Sequence, residues 1–323
     1  METMELPVEL KVAMEKQIND VKRQQLIENT EEITRRYKNE SGHGKRLITS
    51  RDEAATYAVV RMPATYGAVY SALDYTLEFC DSDIETLVDV GAGTGAATWA
   101  ADSLIDLRSI VCLEREKAMR NIGEAIMANG SEAVKAAKWS DFDLIKDNIN
   151  EKGDLVIASY ILNELSDDKR IKAVDKLWEA AGKMLLIIEP GTPVAYSNLK
   201  AIREHLIKAG GHIIAPCPHD GTCEIDSWCH FTCRIPRSRL HKQLKKGEVP
   251  YEDEKYSYLA VSKEECRRAE GRVLRHPGIS KGRVSLEICS KDGISKTEIF
   301  KKNGDLYKKA RKSDWGDSIS IEK

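Results

Sequence analysis

Three glycines alternate with small residues at Gly91, Gly93 and Gly95, directly after the apolar run 87–90. Residues that favour helices follow from Ala96 onward. Glycine has no Cβ atom, so the backbone of such a turn can approach a ligand closely, and the start of a helix offers unpaired N–H groups. The pattern therefore predicts a nucleotide or nucleoside site at the carboxyl edge of a parallel sheet. The alternative is an ordinary α/β turn whose glycines permit only close packing.

A carboxylate at a suitable distance favours a ligand site. Glu114 ends the next predicted strand, 109–114, nineteen residues past Gly95, where it can accept hydrogen bonds from both hydroxyls of a ribose. The glycine spacing is G-x-G-x-G, whereas the dinucleotide fingerprint is G-x-G-x-x-G. With Asp89 two residues before the first glycine, this stretch resembles the first motif of class I S-adenosylmethionine-dependent methyltransferases. The expected cofactor residues are Asp89, Gly91, Ala92, Gly93, Gly95, Glu114, Asp141 and Ser159, with Asp141 near the adenine.

A second group of reactive side chains is a cysteine cluster. Cys217, Cys223 and Cys229 are separated by five residues each time, Cys233 follows after three more, and Cys289 lies further on. Thiolates select zinc, copper(I) or iron–sulfur clusters. Zinc sites usually have closer spacing, so these gaps suit a larger object such as a cluster. Coincidental buried cysteines are the alternative, and four thiols within seventeen residues count against it.

The charge is balanced overall but unevenly distributed. The chain has 323 residues, which suggests one large domain with additions or two domains, and carries 50 basic and 52 acidic side chains. The run 234–246 holds six basic residues and no acid, and the run 296–312 holds seven basic residues and two acids. Such clustering can mark a nucleic-acid surface, with ordinary solvated faces as the alternative.

The sequence shows neither a signal peptide nor a run of about 18 apolar residues. These observations predict no membrane partner and a cytoplasmic location. The eight cysteines are then expected in a reducing compartment, where clustered cysteines bind metal more often than they form disulfides.

The positioning elements follow from periodicity and turn signals. Residues 1–80 form a helical region, with Pro63 predicted to open a helix and with Arg61 and Tyr66 as possible ligand contacts beside a structural role. Strand and helix then alternate in a domain spanning 81–265, interrupted by the cysteine-rich basic insertion 216–250. The last region, 266–323, is a small basic extension, in which Asp292-Gly293 predicts a β-hairpin between 282–289 and 294–300.

Several motifs occur in a fixed order along the chain. They occupy residues 61–66, 88–95, 158–165, 189–193, 215–223, 228–231, 237–241, 251–259 and 310–317. Together they resemble a methyltransferase-like family associated with the small ribosomal subunit in bacteria and mitochondria, over about residues 50–317. The cysteine loop is the most specific part of this resemblance.

The resemblance implies a fold, cofactors and partners. The fold class is α/β, a class I methyltransferase-like (Rossmann-like) doubly wound sheet with an N-terminal helical region, a cysteine-rich insertion and a C-terminal β-hairpin extension. The implied function is small-subunit assembly with contact to ribosomal RNA, as a monomer away from the ribosome. The implied 4Fe-4S cluster would be held by Cys217, Cys223, Cys229 and Cys289. Cys233 departs from the family pattern and is an alternative fourth ligand.

No catalytic base can be named from the sequence. Ser159-Tyr160-Ile161-Leu162 stands where an adenine-N6 enzyme has Asn/Asp-Pro-Pro-aromatic and where a cytosine-C5 enzyme has a Pro-Cys nucleophile. Whether the chain is a methyltransferase is therefore left open. Besides an S-adenosylmethionine-binding, iron–sulfur-containing RNA-binding protein, the sequence allows two alternatives. One is a small-molecule methyltransferase with a structural zinc, and the other is a non-enzymatic assembly factor with a vestigial cofactor pocket.

Overall fold

The computed structural model describes residues 3–40, 46–80, 82–223, 225, 227–245 and 247–320. Three helices come first: α1 (Val8–Lys16), α2 (Arg23–Glu40) and α3 (Arg51–Leu77). The Ser50 side chain accepts a hydrogen bond from the backbone N–H of Glu53, whose carboxylate accepts one from the N–H of Ser50, which fixes the start of α3. The break expected near 41–44 lies outside the described residues.

Pro63 does not open a helix, so that prediction was wrong. It lies inside α3, which continues for fourteen residues beyond it to Leu77. A proline removes one backbone hydrogen bond from a helix interior. Here buried residues on both sides, including Met62, Ala64 and Tyr66, hold the helix against the sheet domain.

The central domain alternates strands and helices. The strands are β1 (Thr86–Val90), β2 (Ser109–Glu114), β3 (Lys138–Asp141), β4 (Gly153–Ser159), β5 (Ala181–Pro190), β6 (His212–Ala215), β7 (Phe231–Pro236) and β8 (Tyr251–Ser262). The helices are α4 (Ala96–Asp102), α5 (Lys117–Met127), α6 (Glu132–Lys135), α7 (Asp167–Ala180), α8 (Pro193–Lys208) and α9 (Arg239–Leu244).

These strands form one mixed sheet in the order β3-β2-β1-β4-β5-β8-β6, with β7 also paired to β8. The first five strands are parallel, and β8 runs antiparallel to β5, β6 and β7. Apolar side chains fill both faces, with α3, α4 and α5 over one and α7 and α8 over the other. The predicted doubly wound α/β fold is confirmed, and the carboxyl ends of β1, β2, β4 and β5 meet along one edge.

The cysteine-rich insertion is more regular than the sequence indicated. It contains β7 and α9, and β7 pairs with the first half of a long β8. The apolar pattern of 256–261 predicts a strand there, and it is only the second half of β8, the part that pairs with β5. No helix in the ranges described above is long and apolar enough to cross a membrane.

A second, five-stranded sheet follows. Its elements are β9 (Gly271–Val273), β10 (Gly278–Ser280), β11 (Arg283–Ser290), β12 (Gly293–Phe300), α10 (Asp305–Lys312) and β13 (Ser318–Ile319). The predicted hairpin is confirmed as β11 and β12, and Gly293 adopts φ +100° at its turn. Val284, Leu286 and Ile288 pack with Tyr307 of α10 in a small separate core.

Candidate functional site

A cavity of about 1050 Å³ opens at the carboxyl edge of the parallel strands. Its wall is formed by the turns after β1, β2 and β4 together with α2, α3 and the residues flanking α9. Its lining includes Tyr37, Tyr57, Arg61, Gly91, Gly93, Glu114, Phe142, Asp143, Ser159, Tyr160, Arg237 and Lys245. The location is the one at which open α/β sheets bind their ligands.

Glu114 is fixed by the turn that precedes α4. Its Oε2 accepts a hydrogen bond from the backbone N–H of Gly93 at 2.9 Å, and its Oε1 accepts one from Glu116 N–H at 2.7 Å. Burial raises the pKa of Glu114, and these hydrogen bonds oppose the rise. Gly93 adopts φ +59°, and a Cβ placed there would meet nothing closer than 3.5 Å. The backbone beside Glu114 thus faces open space that a ligand can occupy.

Asp89 stabilises the glycine turn by binding the helix α4 that follows it. It is buried in the sheet, and its Oδ2 accepts hydrogen bonds from the Thr98 hydroxyl at 2.8 Å and the Thr98 backbone N–H at 3.2 Å. Burial raises the pKa of Asp89 to about 7. Gly95 adopts φ +87° as the residue before α4, and Ala92 is buried between the cavity glycines. These side chains and backbone segments shape the turn without lining the cavity.

The remaining predicted cofactor residues are divided between the cavity and the surface. Gly91 and Ser159 line the cavity. The Asp141 side chain is 64% exposed, pairs with Arg120 at 3.1 Å and does not line the cavity. The two residues after it, Phe142 and Asp143, do line it. The position beside a bound adenine therefore suits Phe142 and Asp143 better than the side chain of Asp141.

Tyr160 lines the cavity directly after β4. Among the described residues it is the only non-glycine residue with positive φ, at 59°. Its hydroxyl donates to Glu254 Oε1 at 3.0 Å, and Arg61 Nη2 approaches the same oxygen at 3.3 Å. Burial opposes the charge of Arg61, yet Glu254 raises the pKa of Arg61 above its ordinary value. Of the two possible ligand contacts, Arg61 lines the cavity. Tyr66 does not line it, and its hydroxyl donates to Ser103 within the core.

Glu189, at the end of β5, holds the loop that follows Tyr160. Its two oxygens accept hydrogen bonds from Leu162 N–H at 2.8 Å and Asn163 N–H at 3.2 Å. Burial raises the pKa of Glu189 to about 8. This contact explains why an acidic residue follows the apolar run 184–188. Its carboxylate accepts the backbone N–H groups of a loop that borders the cavity.

The cysteine loop and the C-terminal sheet meet at a second, smaller cavity of about 50 Å³. Cys217, Cys223, Cys229 and Cys289 all line it. Burial raises the pKa of Cys217 and Cys229, and raises that of Cys289 to about 12. Three thiols of one loop and a fourth from the distant β11 thus line one space.

Two buried arginines accompany these thiols. Arg203 is 4% exposed and lines the thiol cavity, and its charge opposes the rise in the pKa of Cys217. Arg272 is fully buried, and its charge acts in the same direction on Cys217 and Cys289. Arg203 Nε and Arg272 Nη2 have no hydrogen-bond partner among the described residues. An anionic group in this space would therefore meet two desolvated cations.

Cys233 lies apart from the thiol cavity. Its buried side chain points to the core beside α3, where a Cβ on Gly67 would approach its Sγ to 3.2 Å. Burial, followed by the charge of Glu254, raises its pKa. In the part of the chain that the structure describes, no group of three or more His, Cys, Asp or Glu side chains is arranged to hold a metal ion.

Most of the basic run 234–246 is paired with acids of β8. Arg234 Nε lies 2.6 Å from Asp253, while Lys245 and Arg237 approach Glu252 at 2.6 and 3.6 Å. Burial alone would raise the pKa of Glu252, but the neighbouring His241 and Lys245 hold it at about 2. Lys246 lies outside the described residues.

Two further cations of the run have no acidic partner in the described part of the chain. Arg239 and Lys242, on α9, form no ion pair with any described residue. The helix borders the large cavity through Leu244, and Arg239 and Lys242 themselves do not line it.

Several residues in or directly beside the two cavities carried no recognisable sequence signal. Tyr57 lies within a long helix, Glu254 within an acidic strand, and Arg203 within an amphipathic helix. Each resembles an ordinary surface or core position when it is considered alone. Only the packing of α3, β8 and α8 brings them to the sites.

The sheet order, its antiparallel β8 and the cavity at the glycine turn define a class I methyltransferase-like α/β protein. The model of the family described as "Mitochondrial small ribosomal subunit Rsm22" matches residues 51–320, and the chain belongs to this family. The human "Ribosome assembly protein METTL17, mitochondrial" is a relative, 27% identical over 303 residues, which cover 86% of this chain and 65% of that protein.

A relative from Schizosaccharomyces pombe, "Rsm22-cox11 tandem protein 2, mitochondrial", is 26% identical over 367 residues, covering 96% of this chain and 48% of that protein. The chain thus spans less than two thirds of the length of either relative. Among solved structures, the magnesium protoporphyrin IX methyltransferase of Synechocystis aligns with 12% identity and a TM-score of 0.42, covering 81% of this chain and 100% of that one. The ribosomal protein L11 methylase of Lactobacillus delbrueckii aligns with 15% identity and a TM-score of 0.38, covering 60% and 78%.

Proposed function

We propose that this chain binds S-adenosylmethionine, carries a 4Fe-4S cluster, binds small-subunit ribosomal RNA and acts in assembly of the small ribosomal subunit. The family match over residues 51–320 carries the ribosomal part of the proposal. The human relative is named a ribosome assembly protein, which supports assembly over other ribosomal roles. The cytoplasmic location stays a prediction, because the mitochondrial location in these names belongs to the relatives.

The cofactor part rests on the geometry around Glu114. A ribose at this place would donate to the Glu114 carboxylate, and the backbone of Gly93, where a Cβ would meet nothing closer than 3.5 Å, leaves room for the amino-acid portion. Bound S-adenosylmethionine would supply an electrophilic methyl group. The residues of this chain would bind and orient the cofactor, and Ser159 and Tyr160 would border the space beyond it. The proposal assigns no catalytic base.

Calorimetric titration with S-adenosylmethionine tests this part. The wild type should bind with a Kd in the micromolar range, about −8 kcal/mol. Gly93→Val should abolish binding, because it places a branched side chain in the open space beside Glu114 and strains a left-handed backbone. Gly210→Val is the matched control, since Gly210 adopts φ +85° with no atom within 4 Å of a Cβ and lies away from the cavity. Equal binding by the wild type and Gly93→Val would remove the assignment.

The cluster part rests on the thiol cavity. Cys217, Cys223, Cys229 and Cys289 line one space, and their wide spacing along the chain suits a cluster better than one structural zinc. The unpartnered nitrogens of Arg203 and Arg272 fit an anionic occupant. These four cysteines would hold the cluster and thereby join the loop after β6 to β11.

The RNA part rests on α9. Arg239 and Lys242 are unpaired among the described residues, and positive side chains of this kind bind phosphates with release of counterions. Most of the other cations in the run are paired with Glu252 and Asp253. The proposed RNA surface is therefore smaller than the whole basic run and lies next to the cofactor cavity.

A further inference from the structure

The helix α8 places one of its faces against the thiol cavity. Tyr196, Leu199, Lys200 and Arg203 all line this cavity. They occupy positions i, i+3, i+4 and i+7, which lie on one side of a helix. None of them carries a thiol, so this face of α8 supplies the surroundings of the four cysteines.

The hydroxyl of Tyr196 lies within hydrogen-bond distance of a cysteine sulfur. Its oxygen is 3.1 Å from Cys223 Sγ. A cysteine that binds a metal is a thiolate and has no proton to donate, so Tyr196 would be the donor when Cys223 binds a cluster. Hydrogen bonds to the ligand sulfurs stabilise the more negative state of an iron–sulfur cluster and therefore raise its reduction potential.

Arg203 supplies a buried positive charge on the same face of α8. It is 4% exposed, and its Nη2 donates to the backbone carbonyl of His219 at 2.6 Å, which holds the guanidinium against the cysteine loop. Its Nε has no hydrogen-bond partner among the described residues. The bond to His219 therefore uses only part of the donor capacity of Arg203, and the rest is available to an occupant of the cavity.

Arg272 adds a second buried charge from the C-terminal sheet. It is fully buried, and in the β9–β11 pair it lies directly opposite Cys289. Its Nη2 has no hydrogen-bond partner among the described residues. Salt and water screen buried charges weakly, so Arg203 and Arg272 together favour a gain of negative charge by an occupant of the thiol cavity.

We propose that Tyr196 and Arg203 raise the reduction potential of the cluster and make the thiol cavity a one-electron redox centre. Reduction adds one electron from an external one-electron donor, such as dithionite, to the iron atoms. No bond forms or breaks, and the cluster with its thiolates gains one negative charge, which the hydroxyl and the guanidinium stabilise. The inference rests on the proposed function, because it assigns a redox property to the cluster proposed there.

Potentiometric titration of the anaerobically purified full chain with dithionite tests this inference. Tyr196→Phe keeps the ring and removes the hydroxyl. At a fixed solution potential its ratio of reduced to oxidised cluster should fall about tenfold relative to the wild type, which corresponds to a midpoint potential lower by about 59 mV. Tyr256→Phe is the matched control and should keep the wild-type potential. It removes a buried hydroxyl that lies outside the thiol cavity and has no hydrogen-bond partner among the described residues.

Substitutions at Arg203 separate its charge from its support of the cysteine loop, and they serve also if Tyr196→Phe fails to fold. Arg203→Met removes the charge and should lower the same ratio about tenfold or more. Arg203→Lys keeps the charge and should restore most of the wild-type potential. Lys208→Met removes an exposed charge from the same helix, outside the thiol cavity, and should change nothing.

The midpoint potential does not depend on how many chains carry a cluster, so partial loss of iron in a variant does not hide the effect. Wild-type potentials in both Tyr196→Phe and Arg203→Met would overturn the inference and leave the proposed cluster in place. An iron-free wild type would refute the cluster itself, and this inference with it.

Discussion

At the scale of single residues, Asp89 belongs to the cofactor motif but stabilises the fold and does not line the cavity. Its carboxyl group is buried with one oxygen on Thr98 and the other unpartnered among the described residues. Because burial raises its pKa to about 7, the folded protein keeps this group protonated at pH values where the unfolded chain has ionised it. The contribution of protonated Asp89 to the free energy of unfolding is therefore complete below about pH 4 and declines as the pH rises to about 7.

Replacing Asp89 by Asn should remove this dependence, because the amide keeps a similar shape and does not ionise. The free energy of unfolding of Asp89→Asn, relative to the wild type, should rise by a few kcal/mol, at most about 4, between pH 4 and pH 7. Guanidinium denaturation at a series of pH values measures this difference. Parallel curves for the two proteins across that interval would contradict the assigned protonation of Asp89.

Glu114 and Tyr57 illustrate what the sequence could and could not reveal about the site. Glu114 was predicted because strand spacing fixes the distance between the glycine turn and the end of the next strand. Tyr57 and Glu254 were not, because their approach depends on how α3 and β8 pack against the sheet edge. Asp141 shows the same limit: its strand was located correctly, but its side chain turns outward to Arg120.

At the scale of elements, the thiol cavity links two separate parts of the chain. The loop between β6 and β7 supplies Cys217, Cys223 and Cys229, and β11 supplies Cys289. Arg272 of β9 strengthens this link, since its guanidinium donates to the carbonyls of Pro216 and Gly316. A cluster bound here would add its binding free energy to the folding of the C-terminal sheet.

Cys289→Ser should therefore affect both colour and structure. Anaerobically purified wild type should be brown with about four irons per chain, and Cys289→Ser should lose most of the iron and expose β11 and β12 to protease. Cys233→Ser is the matched control, because Cys233 is outside the thiol cavity, and it should keep the iron. A colourless wild type with one zinc would refute the cluster. Loss of iron in Cys233→Ser alone would refute the ligand set.

The element scale also shows where sequence patterns sufficed. Asp292-Gly293 defined the hairpin because its turn requires positive φ, and apolar runs defined the parallel strands. The insertion 216–250 was harder to interpret, because β7 and α9 are short and are stabilised by pairing with β8 rather than by their own periodicity. Pro63 was misplaced for a related reason: burial of α3 outweighs the local preference of proline for a helix start.

At the scale of the whole molecule, the proposed sites are adjacent. The cofactor turn and α9 border one cavity, while the thiol cavity joins the C-terminal sheet to the loop after β6. The proposed function therefore depends above all on binding of α9 to the small ribosomal subunit.

Co-sedimentation with purified small ribosomal subunits tests this claim most directly. The wild type should sediment with small subunits and dissociate steeply as salt rises, because phosphate contacts release counterions. Arg239→Glu with Lys242→Glu should weaken the binding about tenfold or more. Lys169→Glu with Lys172→Glu reverses two exposed lysines at the same spacing on α7 and should bind like the wild type. If the α9 and α7 variants bind equally well, or if the wild type does not sediment with small subunits, the account is contradicted.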